Sequence, residues 1–210
     1  MDKNVKIAIQ LVWLFHLSAI IGIFLGFQDW FLPKTPLNLV ACFLLLIWVG
    51  DLRNARSGFF AYIFFVSGMF VEWLGVHFGW PFGEYEYGDN LGLKLDGVPY
   101  LIGINWSMLV LITGAIAHRI TGSIWLQAII GASLMVGLDF FIEPSASTMD
   151  FWHWANDFIP LSNYIAWFVV ALILQLIYMG FIKPMHFKFS LHLYLAQLIF
   201  FISFYVYSII

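Results

Sequence analysis

Charged side chains are scarce in this 210-residue chain: nine Lys and Arg and twelve Asp and Glu amount to 10% of it, with a formal net charge of −3. Soluble domains carry roughly 25% charged residues, so a water-facing fold is excluded. The few cations are scattered rather than clustered, which excludes a nucleic-acid interface. Cysteine is almost absent. Cys42 alone cannot build a disulfide framework, and inside an apolar run it reads as a small packing residue. His16 and His77 come without an H-x-x-x-H or Cys/His spacing, so no metal is expected. No Lys lies well inside an apolar run, and Lys188 only begins the last one, so a retinal-type Schiff base is excluded. No internal repeat relates the two halves, which removes one pointer to a secondary transporter.

What is present is long apolar sequence. Hydrophobic residues make up 62% of the chain and its mean hydropathy is +0.91. Apolar runs occupy 5–27, 36–49, 59–78, 99–117, 123–142, 161–182 and 189–210, most of them near the ~20 residues that cross a bilayer as helix. The reading is an all-α polytopic membrane protein of about seven transmembrane helices, one domain over 1–210, embedded in the lipid bilayer. The second run is short, with Trp48 at an interface and Asp51 marking its end. MDKNVK leads into the first run without a small-residue cleavage site, so that run is expected to be retained as a span. With the N-terminus inside, Lys3, Lys6, Arg53, Arg56, Arg119, Lys183 and Lys188 are cytoplasmic, and only Lys34 and Lys94 are outside. The longest joints, 79–98 and 144–160, then lie on the outer face of a multi-pass protein of the cytoplasmic membrane.

Two carboxyls interrupt the runs. Glu72 stands about two turns before the break at Gly79-Trp80-Pro81, and Asp139 a little over one turn before Pro144. At 1.5 Å per residue both lie roughly 7–10 Å below the same outer boundary. Intramembrane ionisable groups cost at least ~2.5–3.5 kcal/mol near the helix centre and usually serve a site. With no Lys or Arg to pair with them inside a span, the two acids are expected to meet as one buried pair. Glu143, four residues after Asp139, shares its helix face and is either a third member or an interfacial cap. Asn105, Trp106, Asn163, Tyr164 and Trp167 fall at the same depth on the entering helices, and Trp73 and His77 flank Glu72.

The aromatic residues divide by depth. Trp30, Trp80, Trp152 and Trp154 sit in outer joints, where an aromatic belt is the ordinary explanation, although Trp154 is also a candidate substrate contact. Trp73, Trp106 and Trp167 lie deeper and are candidates to line a cavity. Tyr85 and Tyr87 alternate with Glu84 and Glu86, so an extended segment there would turn one residue type inward, and the stretch is either a lid over the site or a plain loop. Gly22 with Gly26 and Gly75 with Gly79 have the spacing of close helix contacts.

The motif E-W-L-G-V-x-x-G-x-P-F-G-x-Y-x-Y at 72–87, the Val98-Pro99 pair followed by Trp106, and D-F-F-I-E-P…F-W-H-W…I-P-L-S-N-Y-I-A-W at 139–167 resemble the membrane carotenoid biosynthesis family. That family contains the carotenoid 1,2-hydratases of acyclic ψ-ends, of the bisanhydrobacterioruberin and γ-carotene hydratase type. The likeness covers the third through sixth spans. Where members commonly carry Asp-Pro, this chain has Glu143-Pro144, which retains a carboxyl. The resemblance implies a carotenoid partner of lycopene, γ-carotene or bacterioruberin-precursor type and addition of water across its terminal double bond without a redox cofactor. On chemical grounds Glu72 and Asp139 jointly supply the acid and the base, with Glu143 beside them. Trp73, His77, Tyr85, Tyr87, Asn105, Trp106, Trp154, Asn163 and Trp167 surround the substrate, and Trp faces stabilise a cation. The alternatives are a proton-coupled transporter and a non-catalytic carotenoid-binding or scaffold protein.

Overall fold

The computed structural model describes residues 2–50, Leu52 and 54–209. Asp51 as the end of the second span, Arg53 among the cytoplasmic cations and the last residue of the 189–210 run lie outside the described residues. Seven stretches are long and apolar enough to cross a bilayer. They are α1 (Lys3–Phe24), the stretch Gln28–Val49, α4 (Ala55–Phe78), α5 (Tyr100–Ile120), α6 (Ile124–Ala146), α7 (Leu161–Phe181) and α8 (Phe187–Ile209). The second is composite, with α2 (Gln28–Phe31), a 3-10 turn (Leu32–Lys34) and α3 (Thr35–Val49) in series. It therefore begins well before the apolar run at 36–49, and Lys34 belongs to the span's mouth rather than to a joint.

α5 is the axis of the bundle. Every residue from 106 to 117 is buried, and the helix packs against α3, α4, α6, α7 and α8. Small residues allow this. A Cβ on Gly114 would stand 2.5 Å from the Tyr178 ring, and one on Gly68 of α4 would stand 2.5 Å from the Cβ of Trp106. The expected small-residue pairs work differently. Gly75 makes room for the Tyr85 ring and Gly22 for Phe31. Gly26 and Gly79 instead take positive φ (88° and 61°) where α1 and α4 end, a backbone that costs only glycine nothing.

The two long joints lie on the same end of the bundle, and both contain strand. β1 (Tyr85–Tyr87) pairs antiparallel with β4 (Trp152–Trp154), setting Tyr85 opposite Trp154, Glu86 opposite His153 and Tyr87 opposite Trp152. A second pair, β2 (Lys94–Leu95) with β3 (Val98–Pro99), leads into α5. Successive strand side chains alternate faces, so the first ribbon turns two Tyr and two Trp toward the bundle and Glu86 and His153 away from it. Asp150 clasps the ribbon. Its Oδ2 accepts the backbone N–H of Asp89 at 2.9 Å and of Asn90 at 3.1 Å, and its Oδ1 lies 3.1 Å from Nε2 of His153. Those hydrogen bonds, that from His153 foremost, hold the Asp150 carboxyl below the usual aspartate range.

Candidate functional site

Beneath the Tyr and Trp face of the ribbon, α4, α5, α6 and α7 enclose a chamber of about 30 Å³, lined by Glu72, Asn105, Asp139, Glu143, Asn163 and Trp167 among others. A cavity needs roughly 10–15 Å³ to admit one water, so this one holds a water or two and no more. Its three carboxyls are 3%, 1% and 5% exposed for Glu72, Asp139 and Glu143. None of the lining residues is a Lys or Arg.

Glu72 is held by three donors. Its Oε2 accepts the hydroxyls of Tyr85 at 2.5 Å and Tyr87 at 2.7 Å, and its Oε1 accepts Nε1–H of Trp106 at 2.8 Å. Burial, with the adjacent Glu72 carboxylate, pushes both phenols well above the usual tyrosine range, so they remain donors. Trp106 stacks on Trp167 with ring centroids 3.9 Å apart and planes 13° from parallel. Glu143 is held in the same way from the other strand. Its Oε2 accepts Nε1–H of Trp152 at 3.1 Å and of Trp154 at 2.7 Å, and its Oε1 accepts Nδ2–H of Asn163 at 2.7 Å. Asp139 receives only a 3.3 Å contact from the same Asn163 nitrogen.

This geometry changes the expected pairing. Glu72 and Asp139 border one chamber, but no hydrogen bond joins them among the described residues, and each meets its own neighbours. The carboxyls that share a partner are Asp139 and Glu143, one turn apart on α6. Glu143 is not an interfacial cap either, because α6 runs through Pro144 to Ala146 and buries it. Trp73 and His77 stand apart from the chamber. Trp73 Nε1–H is given to Asp96 at 2.7 Å, and His77 lies between the Trp73 carbonyl oxygen at 3.0 Å and Asp96 at 3.2 Å. Both follow Glu72 in sequence, but the helical turn carries them to another face of α4.

Tyr85, Tyr87, Asn105, Trp106, Trp154, Asn163 and Trp167 are all at the chamber, by lining it or by bonding Glu72. Trp152, read as a belt residue, belongs there too. The signal was in the W-H-W alternation, which mirrors Y-E-Y, but only strand pairing makes the two patterns face the same way. Phe82, Ile102, Leu109 and Ile142 complete the wall and carried no polar signal to single them out.

A second cavity, of about 400 Å³, adjoins the first through Ile102, Asn105, Ile142 and Trp152, which border both. It extends between α1, α3 and α8 with a mostly apolar lining, inside the 300–1,000 Å³ range of ligand pockets.

Comparison with known proteins gives three findings. A bisanhydrobacterioruberin hydratase of Haloarcula japonica is 27% identical over 116 residues, covering 51% of this chain and 40% of that protein. The chain thus matches well under half the length of that relative. No solved structure matches it. A family model described as "Carotenoid biosynthesis protein" matches residues 35–210, from the start of α3 onward and including every residue of the acid chamber, and the chain therefore belongs to the carotenoid biosynthesis protein family.

Proposed function

We propose that the chain is a carotenoid hydratase of the cytoplasmic membrane, adding water across the terminal double bond of an acyclic ψ-end to give a tertiary 1-hydroxy carotenoid. The observation that carries this reading is the convergence of three buried carboxyls on a water-sized chamber that adjoins a larger, mostly apolar cavity. An alkene is a very weak base, so the acid must be held protonated against the reacting carbon, and water must wait beside it. Acyclic or monocyclic carotenoids, of lycopene, γ-carotene or bacterioruberin-precursor type, supply such an end.

The roles follow from hydrogen-bond supply. Glu72 and Glu143 each accept three donors, and we assign them the acceptor roles. Asp139 accepts one long contact and carries the transferable proton. Its proton goes to the less substituted alkene carbon, leaving a tertiary cation at the other. The chamber water adds there and gives a proton to Glu143, which returns it to Asp139, so the sum is substrate plus one water. Glu72 lies across the chamber as a fixed negative charge for the cation, supported by the Trp106–Trp167 stack. General acid–base steps of this kind contribute typically ~10²–10⁴-fold each.

A proton-coupled transporter is less well supported. Among the described residues no further carboxyl lies in the inner half of a span, and α5 fills the route inward with Met108, Leu109, Leu111 and Ile112, all essentially inaccessible. The deciding experiment expresses the chain in cells that accumulate lycopene or γ-carotene, supplies oxygen-18 water and weighs the pigments. One labelled tertiary hydroxyl per modified end is expected. Unmodified pigment from correctly inserted protein would refute a hydratase acting on those substrates.

A further inference from the structure

Four residues form the wall between the acid chamber and the larger cavity: Ile102, Asn105, Ile142 and Trp152 border both. The two Ile offer nothing to a polar group, and Trp152 has given its one side-chain N–H to Glu143. Asn105 is left. Ile102, Asn105 and Leu109 present one face of α5 to the chamber, and the Asn105 side chain makes no hydrogen bond among the described residues. The side-chain atoms that are both buried and unpaired belong to Gln175, Ser190 and Gln197, so the Asn105 carboxamide is unpaired but open. Because α5 is packed against five other helices, and residues 101–103 and 106–117 around Asn105 are buried, the space it opens onto is that of the two cavities. An amide without a protein partner in an apolar span costs stability. A Leu would fill the position without that cost.

We infer that Asn105 holds the attacking water at the seam between chamber and cavity, and that it thereby decides whether the cation is hydrated or reverts to alkene. The inference rests on the hydratase reading above and assigns one step within it. A tertiary cation has two exits. In one, a water lone pair forms the C–O bond and the surplus proton passes to Glu143. In the other, a C–H bond beside the cationic carbon breaks, its electron pair restores a double bond and its proton returns to Asp139. The second exit needs no water. Capture requires a lone pair aimed at the cation, which places both water hydrogens on acceptors. Glu143 takes one, and the Asn105 amide oxygen takes the other at the wall through which an end group in the larger cavity meets the chamber. An amide is not a base at neutral pH, so Asn105 orients the water without drawing a proton from the cation.

The test separates the two exits with deuterium. Membranes holding the full chain and lycopene or γ-carotene are incubated in deuterium oxide, and both the hydroxylated and the recovered pigment are weighed. Asn105→Leu is expected to lower hydroxylated pigment by at least about tenfold, while recovered pigment gains deuterium at its acyclic end above the wild-type level, because protonation continues and the cation reverts. Asp139→Asn is expected to lose hydration and exchange together. The Tm of Asn105→Leu in micelles is expected to match or exceed the wild type, since no hydrogen bond within the protein is removed. Asn105→Ala gives the same shift toward exchange, and decides the matter if the Leu variant does not insert. Wild-type hydration in both variants overturns the inference, as does joint loss of hydration and exchange in them, which would place Asn105 in binding or proton delivery. A lowered Tm in both overturns it too, in favour of a structural role. A wild-type chain that neither hydrates nor exchanges overturns the hydratase reading itself, and this inference with it.

Discussion

Replacing Glu72 by Gln keeps size and shape but makes one of the two side-chain oxygens a donor, and neither orientation of the amide keeps all three hydrogen bonds. With the amide oxygen toward Tyr85 and Tyr87, the NH₂ group confronts Nε1–H of Trp106, a side chain with no exposure at all. With the amide turned over, Trp106 keeps its acceptor and the NH₂ group can donate to the phenol oxygens, but the phenol protons lose the carboxylate, and only Tyr85 keeps a second acceptor, the Glu72 carbonyl oxygen at 3.4 Å. Leaving one buried donor unpaired costs about 1–3 kcal/mol. For a chain of this size each kcal/mol lowers Tm by ~2–4 °C, so the variant is expected to unfold roughly 2–12 °C below the wild type, followed by tryptophan fluorescence in micelles. A double-mutant cycle isolates the contact: Tyr87→Phe should cost stability in the wild-type background and much less in the Glu72→Gln background, with a coupling energy of about 0.5–3 kcal/mol. Additive effects of the two changes would refute the claim that the Tyr face of the ribbon is tied down through Glu72.

Further outcomes follow from the same geometry. Asp139→Asn and Glu143→Gln should each lower oxygen-18 incorporation into pigment by at least ~10²-fold while the protein still inserts; full activity in both would end the role assignment. Gly68→Ala places a Cβ 2.5 Å from the Cβ of Trp106, in a place where no flexible side-chain end can retreat, and should destabilise by about 1–3 kcal/mol, seen as a lower Tm. Gly75→Ala presses instead on the Tyr85 hydroxyl at 2.5 Å and should loosen the ribbon more than the bundle, measured as faster proteolysis within 79–98. Because Asp150 is held below its unfolded pKa of about 3.9, its contribution to the ribbon is present above that pH and is lost as pH falls through its lower folded value. The protection factors of the Asp89 and Asn90 amides, taken relative to intrinsic exchange at each pH, should therefore fall in acid, and Asp150→Asn should remove that dependence.

The spans were legible because the bilayer imposes a length and a polarity on any helix that crosses it, and seven apolar runs declare themselves by those two measures alone. The composite second span was legible only in part, since Pro33 and Lys34 break its hydropathy without breaking its course through Gln28–Val49. Depth was legible too: counting from Pro81 and Pro144 puts Glu72 and Asp139 at one level, and both border the chamber. Azimuth was not. Trp73 and His77 share the depth of Glu72 but face elsewhere, because α4 is apolar nearly all round and its sequence carries no stripe to orient it. Nor does local sequence tell that Tyr85 pairs with Trp154, or Tyr87 with Trp152, across a separation of more than sixty residues. Residue types and their heights in the membrane are properties of the chain itself. Which carboxyl receives three donors and which receives one depends on strand register and helix rotation, and these were decided only when the two outer joints closed over the bundle.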